Sequence, residues 1–170
     1  MLNQCQPDHQ SKAPKLPDME QTQWLTAEEQ RLWRAFLTVT GAIPARLDSE
    51  LKECTGIGLD DYEVFVHLSE ADDQRVRMSE LSEKLLHSRS RLTQRIDRLE
   101  KRGLVRRQPC EDDKRGTWAV LTAEGLAALE AAASHHVGHA REHLFDHLDP
   151  DDVSTLSPIV ERLAAAHQPV

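Results

Sequence analysis

Aromatic and cysteine residues are rare in this chain of 170 residues, and long apolar runs are missing from it. Leu and Ala are abundant, which favours helices. The cysteines (Cys5, Cys54 and Cys110) are odd in number and form no C-x-x-C pair, so the sequence predicts a reduced, cytoplasmic protein without a disulfide framework. No apolar stretch approaches the roughly 20 residues of a membrane span, and residues 1–20 lack the apolar segment of a secretory signal. We therefore expect neither membrane insertion nor secretion.

The motifs of the common enzyme classes are missing as well. The sequence has no Gly-rich phosphate loop, no G-x-S-x-G, no H-E-x-x-H and no Cys/His pair at metal-site spacing. We expect a protein that is not an enzyme and that needs no cofactor.

Charge is distributed unevenly along the chain, whose formal net charge is −8. Residues 84–115 hold eleven Lys and Arg against five Asp and Glu, whereas the remainder holds ten against 24. A basic segment on an acidic body is the pattern of a localised phosphate-binding surface. The overall negative charge therefore does not argue against nucleic acid as a partner.

Helical patterns dominate the first third and the last third of the chain. Residues 1–23 are polar and contain three Pro, which predicts a flexible tail. Thr26 and Glu29 form a capping-box pattern ahead of a long apolar helix, which Pro44 is expected to kink or interrupt. We expect the rest of the chain to divide into a helical region at 24–58, a lobe at 59–121 and further helices at 122–170. In the last region, we expect one helix from Thr122 to about Leu148 and another from Pro150 to about residue 167, interrupted or kinked near Pro158.

The segment between residues 79 and 122 has the pattern of a helix-turn-helix followed by a β-hairpin. Ser79 is expected to cap a short helix, and Ser88 is expected to cap a longer one that ends before Gly103. Residues 104–108 and 117–121 alternate as two strands around a charged tip. The fold class is therefore mostly α with a small β wing, a winged helix-turn-helix joined to further helices at both ends.

The helix that follows Ser88 carries the residues we expect to contact DNA. Leu92, Ile96 and Leu99 form its apolar face. The residues expected on its other faces are Ser88, Arg89, Ser90, Arg91, Thr93, Gln94, Arg95 and Arg98. Arg and Gln side chains can make paired hydrogen bonds to guanine and adenine edges in the major groove. Lys114 and Arg115 at the hairpin tip can reach an adjacent minor groove.

This segment resembles the MarR family of transcriptional regulators. The resemblance lies in the recognition helix and first wing strand (residues 88–107), in Asp113-Lys114-Arg115, and in Leu121-Thr122 with Gly125. It implies a homodimer on a pseudo-palindromic DNA duplex, with Arg115 in the minor groove and Asp113 supporting Arg115 through a salt bridge. It also implies that residues 24–58 and 122–170 form a helical dimerisation domain and that residues 59–121 form the DNA-binding lobe. It also implies repression that a small phenolic ligand, an oxidant or a metal relieves.

Regularly spaced histidines leave a metal-responsive alternative open. His135, His139, His143 and His147 recur every four residues, and His136 adjoins the first. Pairs at this spacing share a helix face and could bind Zn²⁺, with His135, His139 and His143 as candidates. Four-residue spacing drifts around a helix, however, so all four cannot bind one ion. A polar helix face without metal is the favoured interpretation.

Three further alternatives concern ligands, oxidants and partners. Trp24, Trp33 and Tyr62 could line a ligand cleft, although packing in the core or in a dimer interface is the more common role of such aromatic residues. Cys110 lies in the wing, where oxidation could disturb DNA contact, but its acidic neighbours disfavour the thiolate. A winged helix can also bind proteins, and a salt-dependent affinity for duplex DNA would distinguish that function from DNA binding.

Overall fold

The computed structural model describes residues 22–111, 113 and 116–167. It contains helices α1 (Ala27–Thr55), α2 (Leu59–Ser69), α3 (Met78–Lys84), α4 (Arg89–Lys101), α5 (Ala123–His143) and α6 (Pro150–Ala165). Strands β1 (Arg75–Arg77), β2 (Val105–Pro109) and β3 (Thr117–Leu121) complete the described secondary structure, with short 3₁₀ turns at Asp72–Gln74 and Phe145–His147. The mostly helical fold with a small β wing is as predicted. None of the described helices is long and apolar enough to cross a lipid bilayer.

The chain divides into two compact units, one up to Leu37 and one from Thr38 onward. In the first unit, the capping box at the start of α1 is confirmed. The Glu29 amide donates to Thr26 Oγ1 at 3.2 Å, and the Thr26 amide donates to Glu29 Oε2 at 2.7 Å. An apolar row beyond this cap is exposed, and it consists of Leu32, Trp33, Phe36 and Leu37.

The core of the second unit lies between a three-stranded sheet and helices α2 to α5. The strands are antiparallel in the order β1–β3–β2, with Val76 opposite Ala119 and Val105 opposite Leu121. These four side chains form the buried face of the sheet. The helices add their buried residues, Val64, Phe65, Leu68, Leu81, Leu85, Leu92, Ile96, Leu99 and Leu129. The predicted apolar face of α4 is therefore confirmed.

The junction of α4, β2 and α5 depends on two glycines and one threonine. Gly103 follows α4 with a φ of +76°, a left-handed conformation that costs glycine little, as predicted. The Thr122 hydroxyl donates to the Gly103 carbonyl at 2.7 Å and accepts from the Gly125 amide at 3.0 Å, so Thr122 caps α5 as predicted. A Cβ on Gly125 would lie 2.0 Å from the Leu104 carbonyl oxygen. The first turn of α5 thus packs directly on the segment that joins α4 to β2.

Several predicted helix boundaries are wrong. Helix α3 begins at Met78 rather than after Ser79, because Arg77 is still paired with Trp118 in the sheet and the chain passes directly from strand to helix. Helix α5 ends at His143 instead of near Leu148, since Leu144 leaves the helical conformation. Neither proline interrupts its helix: α1 continues through Pro44, and α6 continues through Pro158.

Candidate nucleic-acid interface

Helix α4 begins at an exposed, polar cap. Ser88 Oγ accepts a hydrogen bond from the Arg91 amide at 3.3 Å and lies 3.2 Å from Ser90 Oγ, which confirms the predicted N-cap. A helix N-terminus carries partial positive charge and amides without helical partners. Hydroxyl groups at such an end are well suited to a phosphate of the DNA backbone.

The outer side of α4 presents most of the residues that the sequence assigns to DNA contact. Leu92, Ile96 and Leu99 are buried beneath it. The predicted residues that are exposed are Ser88, Arg89, Ser90, Arg91, Thr93, Gln94 and Arg98. Hydrogen-bonding groups and three guanidinium groups therefore line one accessible helix surface, which has the dimensions and chemistry to enter a major groove.

Arg95 is the exception, and the expectation that it lies on an outer face is corrected. Its side chain is 10% exposed, with Nη1 donating to Asp61 Oδ1 at 2.6 Å and Nη2 donating to Asp60 Oδ2. Both carboxylates belong to the first turn of α2. Leu92, Arg95 and Ile96 follow the spacing i, i+3, i+4, which places the arginine within the apolar stripe of α4. Arg95 therefore attaches α4 to α2.

A second arginine attaches the other side of α4 to the wing. Arg107 Nη1 lies 2.7 Å from Asp97 Oδ1 and 2.8 Å from Glu100 Oε2, and Nη2 donates to the Thr93 carbonyl at 3.2 Å. Arg106 points to the opposite side of β2, where it is exposed. This agrees with the alternation of side chains along a strand. The recognition helix is thus fixed by ion pairs on two sides.

Two backbone hydrogen bonds join the described residues at the far end of the wing. The Cys110 amide donates to the Gly116 carbonyl at 3.1 Å, and the Gly116 amide donates to the Asp113 carbonyl at 2.8 Å. The Asp113 carboxylate lies 3.5 Å from Arg77 Nη1. Lys114 and Arg115 lie outside the described residues, and so does the predicted salt bridge between Asp113 and Arg115.

A polar groove of about 420 Å³ separates α4 from the base of the wing. Its lining includes Arg77, Thr93, Asp97, Arg107 and Asp113. A second polar cavity of about 370 Å³ lies where α1, α2 and α4 meet, and its lining includes Lys52, Asp60, Asp61, Arg95 and Arg98. Both cavities follow the flanks of the recognition helix, beside the two sets of ion pairs.

The acidic partners of these arginines were not found by reasoning from the sequence. Asp60 and Asp61 precede Arg95 by more than 30 residues, so only the folded chain brings them together. The signal that could have been used is the position of Arg95 in the apolar stripe, because a buried guanidinium requires carboxylate partners.

Comparison with known proteins decides the family. A model of the MarR family matches residues 55–116. AbsC of Streptomyces coelicolor, a MarR family transcriptional regulator, is 42% identical over 85% of this chain and 99% of its own, with a TM-score of 0.76. This chain belongs to the MarR family of transcriptional regulators.

Two further relatives agree with this MarR assignment. Sco3205 of S. coelicolor, a MarR family regulator solved in complex with DNA, is 39% identical over 88% of this chain and 94% of its own, with a TM-score of 0.83. The regulator PecS of Dickeya dadantii is 39% identical over 66 residues, which are 39% of this chain and 40% of PecS. The chain therefore matches less than half the length of PecS, whereas it spans nearly all of the two Streptomyces structures.

The aromatic residues predicted to line a ligand cleft in this MarR protein belong to both units. In the first unit, Trp24 and Trp33 are 68% and 52% exposed, and Trp33 stacks on Phe36 with ring centroids 6.3 Å apart. In the second unit, Tyr62 is half-buried and stacks on His136 at 4.4 Å. Burial raises the pKa of the Tyr62 hydroxyl. The ligand cleft stays a prediction.

The histidines of α5 contact α1 through one carboxylate. His143 Nε2 lies 2.7 Å from Glu50 Oε2, and His139 Nδ1 lies 3.7 Å from the same oxygen. The rings of His135 and His139 are 6.4 Å apart. Over the part of the chain that the structure describes, no three His, Cys, Asp or Glu residues are grouped as a metal ion requires.

Two of the three cysteines fall within the described residues. Cys54 is exposed and Cys110 is buried, and both are free thiols. Burial of Cys110 keeps its sulfur away from oxidants at the surface, so the wing offers no exposed thiol at this position. Cys5 lies outside the described residues.

Proposed function

We propose that this MarR-family protein is a homodimeric repressor that binds a pseudo-palindromic DNA duplex in a sequence-specific manner. The observation that carries the proposal is the outer surface of α4, where a capped N-terminus and exposed Arg89, Arg91, Gln94 and Arg98 lie above a buried apolar face. This helix enters the major groove, where Arg and Gln contact base edges. Sco3205, which resembles this chain over most of its length, has been solved in complex with DNA.

The wing contributes contacts in the adjacent minor groove. In this proposal Lys114 and Arg115 reach that groove, Arg115 enters it, and Asp113 supports Arg115. The Arg77–Asp113 ion pair holds Asp113, which directly precedes Lys114 and Arg115 in the sequence. A narrow minor groove attracts guanidinium groups because of its strong negative potential.

The dimer rests on apolar surfaces that a single chain leaves uncovered. Leu156, Ile159, Val160 and Leu163 recur at helical spacing on α6 and are all exposed. An exposed apolar row is likewise present on α1 within the first unit. We assign residues 24–58 and 122–170 to dimerisation and residues 59–121 to DNA binding. Two recognition helices about 34 Å apart would then contact half-sites one helical turn apart.

Relief of repression by a small ligand completes the proposal. Trp24 and Trp33 are exposed and Tyr62 is half-buried. Aromatic side chains of this kind can stack on the ring of a phenolic ligand. A loss of duplex affinity on addition of such a compound would support this part of the proposal, and unchanged affinity across a panel of phenolic acids would refute it.

A pair of arginine variants tests the DNA surface. Arg98→Ala removes an exposed guanidinium of α4, so we expect affinity for a duplex selected by the wild-type protein to fall about tenfold. Arg141→Ala removes an exposed arginine of α5, which is paired with Asp146 at 3.1 Å, and serves as the matched control. Fluorescence anisotropy at one salt concentration measures both. Equal affinities for the two variants would contradict the assignment of this surface.

A further inference from the structure

One carboxylate oxygen of α2 binds two arginines of the recognition helix. Asp60 Oδ2 accepts from the Nη2 of Arg95 and also from the Nη2 of Arg91, which lies at 3.0 Å. The two arginines are four residues apart and therefore lie on the same side of α4. The Arg95 side chain is 10% exposed, whereas that of Arg91 is 60% exposed. Asp60 thus links the buried Arg95 to the exposed Arg91, which remains accessible to DNA.

The position of Asp60 is fixed from two directions. The Leu59 amide at the start of α2 donates to Asp48 Oδ1 of α1 at 2.9 Å, which satisfies an amide that the preceding Gly58 cannot cap. Asp61 next to it holds the other nitrogen of Arg95 at 2.6 Å. An acidic residue in the first turn is also stabilised by the helix dipole. The oxygen that Arg91 contacts is therefore held in place by the fold.

From this geometry we propose that Asp60 is a positioning residue that determines DNA specificity through Arg91. The inference rests on the proposed function, in which α4 reads the major groove. By holding one nitrogen of the Arg91 guanidinium, Asp60 directs the remaining nitrogens toward a single region of the groove. An arginine restrained in this way loses less conformational freedom when it forms paired hydrogen bonds with a guanine.

The charge of Asp60 acts on specificity in a second way. A carboxylate close to the DNA surface repels phosphates, and it also competes with them for Arg91. Random-sequence DNA offers Arg91 phosphates but a matching base edge only by chance, whereas the correct sequence always offers that edge. Asp60 therefore weakens binding to random DNA more than binding to the correct site, which raises the ratio of the two affinities.

The test compares Asp60→Asn with Glu70→Gln, which removes one negative charge from the exposed far end of α2. Affinities are measured for a duplex selected by the wild-type protein from a random pool and for a random-sequence duplex, over a range of salt concentrations. For Asp60→Asn we expect the ratio of specific to random affinity to fall about tenfold, while binding to random DNA is unchanged or tighter. We also expect the salt slope on random DNA to steepen by about one, since Arg91 becomes available to a phosphate.

A second pair of variants separates this role from simple support of the fold. With Arg91→Ala present, Asp60→Asn should no longer change the specificity ratio, because the residue through which Asp60 acts is missing. Should Asp60→Asn fail to fold, Asp60→Glu keeps the charge but displaces the oxygen, and we expect it to lower the same ratio.

Two outcomes would overturn the inference. A parallel loss of specific and random affinity in Asp60→Asn, or a specificity ratio equal to that of Glu70→Gln, would contradict it while leaving the proposed function intact. A wild-type protein that prefers no duplex from the pool would overturn the proposed function together with this inference.

Discussion

His136 on α5 lies half-buried against Tyr62 of α2, with ring centroids 4.4 Å apart. Burial lowers the pKa of His136, and the neighbouring His139 lowers it further. Burial likewise lowers the pKa of His87, which lies in the turn before α4. Both imidazoles are therefore more easily protonated in the unfolded chain, where the ordinary pKa of about 6.5 applies. The contribution of the neutral rings to stability is present above that pH and is lost as the pH falls below it.

The lowered pKa values of His136 and His87 predict a stability that depends on pH. We expect the free energy of unfolding to decrease between pH 7.5 and pH 5.5, and we expect His136→Gln to reduce that decrease because one of the two groups is removed. His135→Gln, at the exposed neighbouring position, is the control and should retain the wild-type dependence. Urea unfolding at several pH values, monitored by circular dichroism, measures the free energy of unfolding of each protein. A His136→Gln profile that parallels the wild type would contradict the assignment.

Arg95 is the residue of α4 whose exposure was predicted wrongly from the sequence. The periodicity of α4 already placed it between Leu92 and Ile96, but a positive charge in a basic helix was assigned to the outer surface. Its carboxylate partners come from α2, at a separation that no local pattern reveals. The partners of Arg107, by contrast, both lie in the preceding helix α4, at separations of seven and ten residues.

Helix α6 has an apolar face that a single chain leaves exposed. Its N-terminus is closed by a capping box between Asp149 and Asp152, so the helix is well defined from its first turn. Leu156, Ile159, Val160 and Leu163 are 39–54% exposed, and their spacing places them on one side. An apolar helix face of this kind is stabilised when a second surface covers it.

For the α6 face we predict an effect of charge on assembly. Ile159→Asp introduces a carboxylate into the apolar row, so we expect the dimer to dissociate at least tenfold more readily, since an unpaired charge is costly in an interface. Ser154→Asp places the same charge on the opposite side of α6 and should leave assembly unchanged. Sedimentation equilibrium measures both. A wild-type protein that has the mass of one chain at micromolar concentration would contradict the dimer.

Helix ends were predicted well where a side-chain cap was present. Ser88, Thr122 and the Thr26–Glu29 pair mark the starts of α4, α5 and α1 as expected, because a cap is a local interaction between residues close in sequence. The start of α3 was missed because it is set by the pairing of β1 with β3, which depends on a strand more than 35 residues away. The end of α5 was missed because Leu144 has no local signal for leaving the helix.

Considered as a whole molecule, the chain concentrates its basic residues in the segment that forms α4 and the wing, while the rest is strongly acidic. This arrangement could be predicted from the sequence, since it depends only on the order of the residues. The family could also be predicted from the sequence, because its motifs lie in the recognition helix, the wing and the first turn of α5. What required the structure is the way in which Asp60, Asp61, Asp97 and Glu100 restrain the arginines of that basic segment.

The central claim is sequence-specific binding of duplex DNA, and a competition gel shift tests it most directly. The wild-type protein would be titrated against the DNA upstream of its own gene at physiological salt, with a random-sequence competitor. Specific sites are bound at least roughly 10³-fold more tightly than random DNA, so we expect a discrete complex that survives about a hundredfold excess of competitor. If the competitor abolishes the complex, and a duplex selected from a random pool gives none either, the account of α4 as a sequence-reading helix is contradicted.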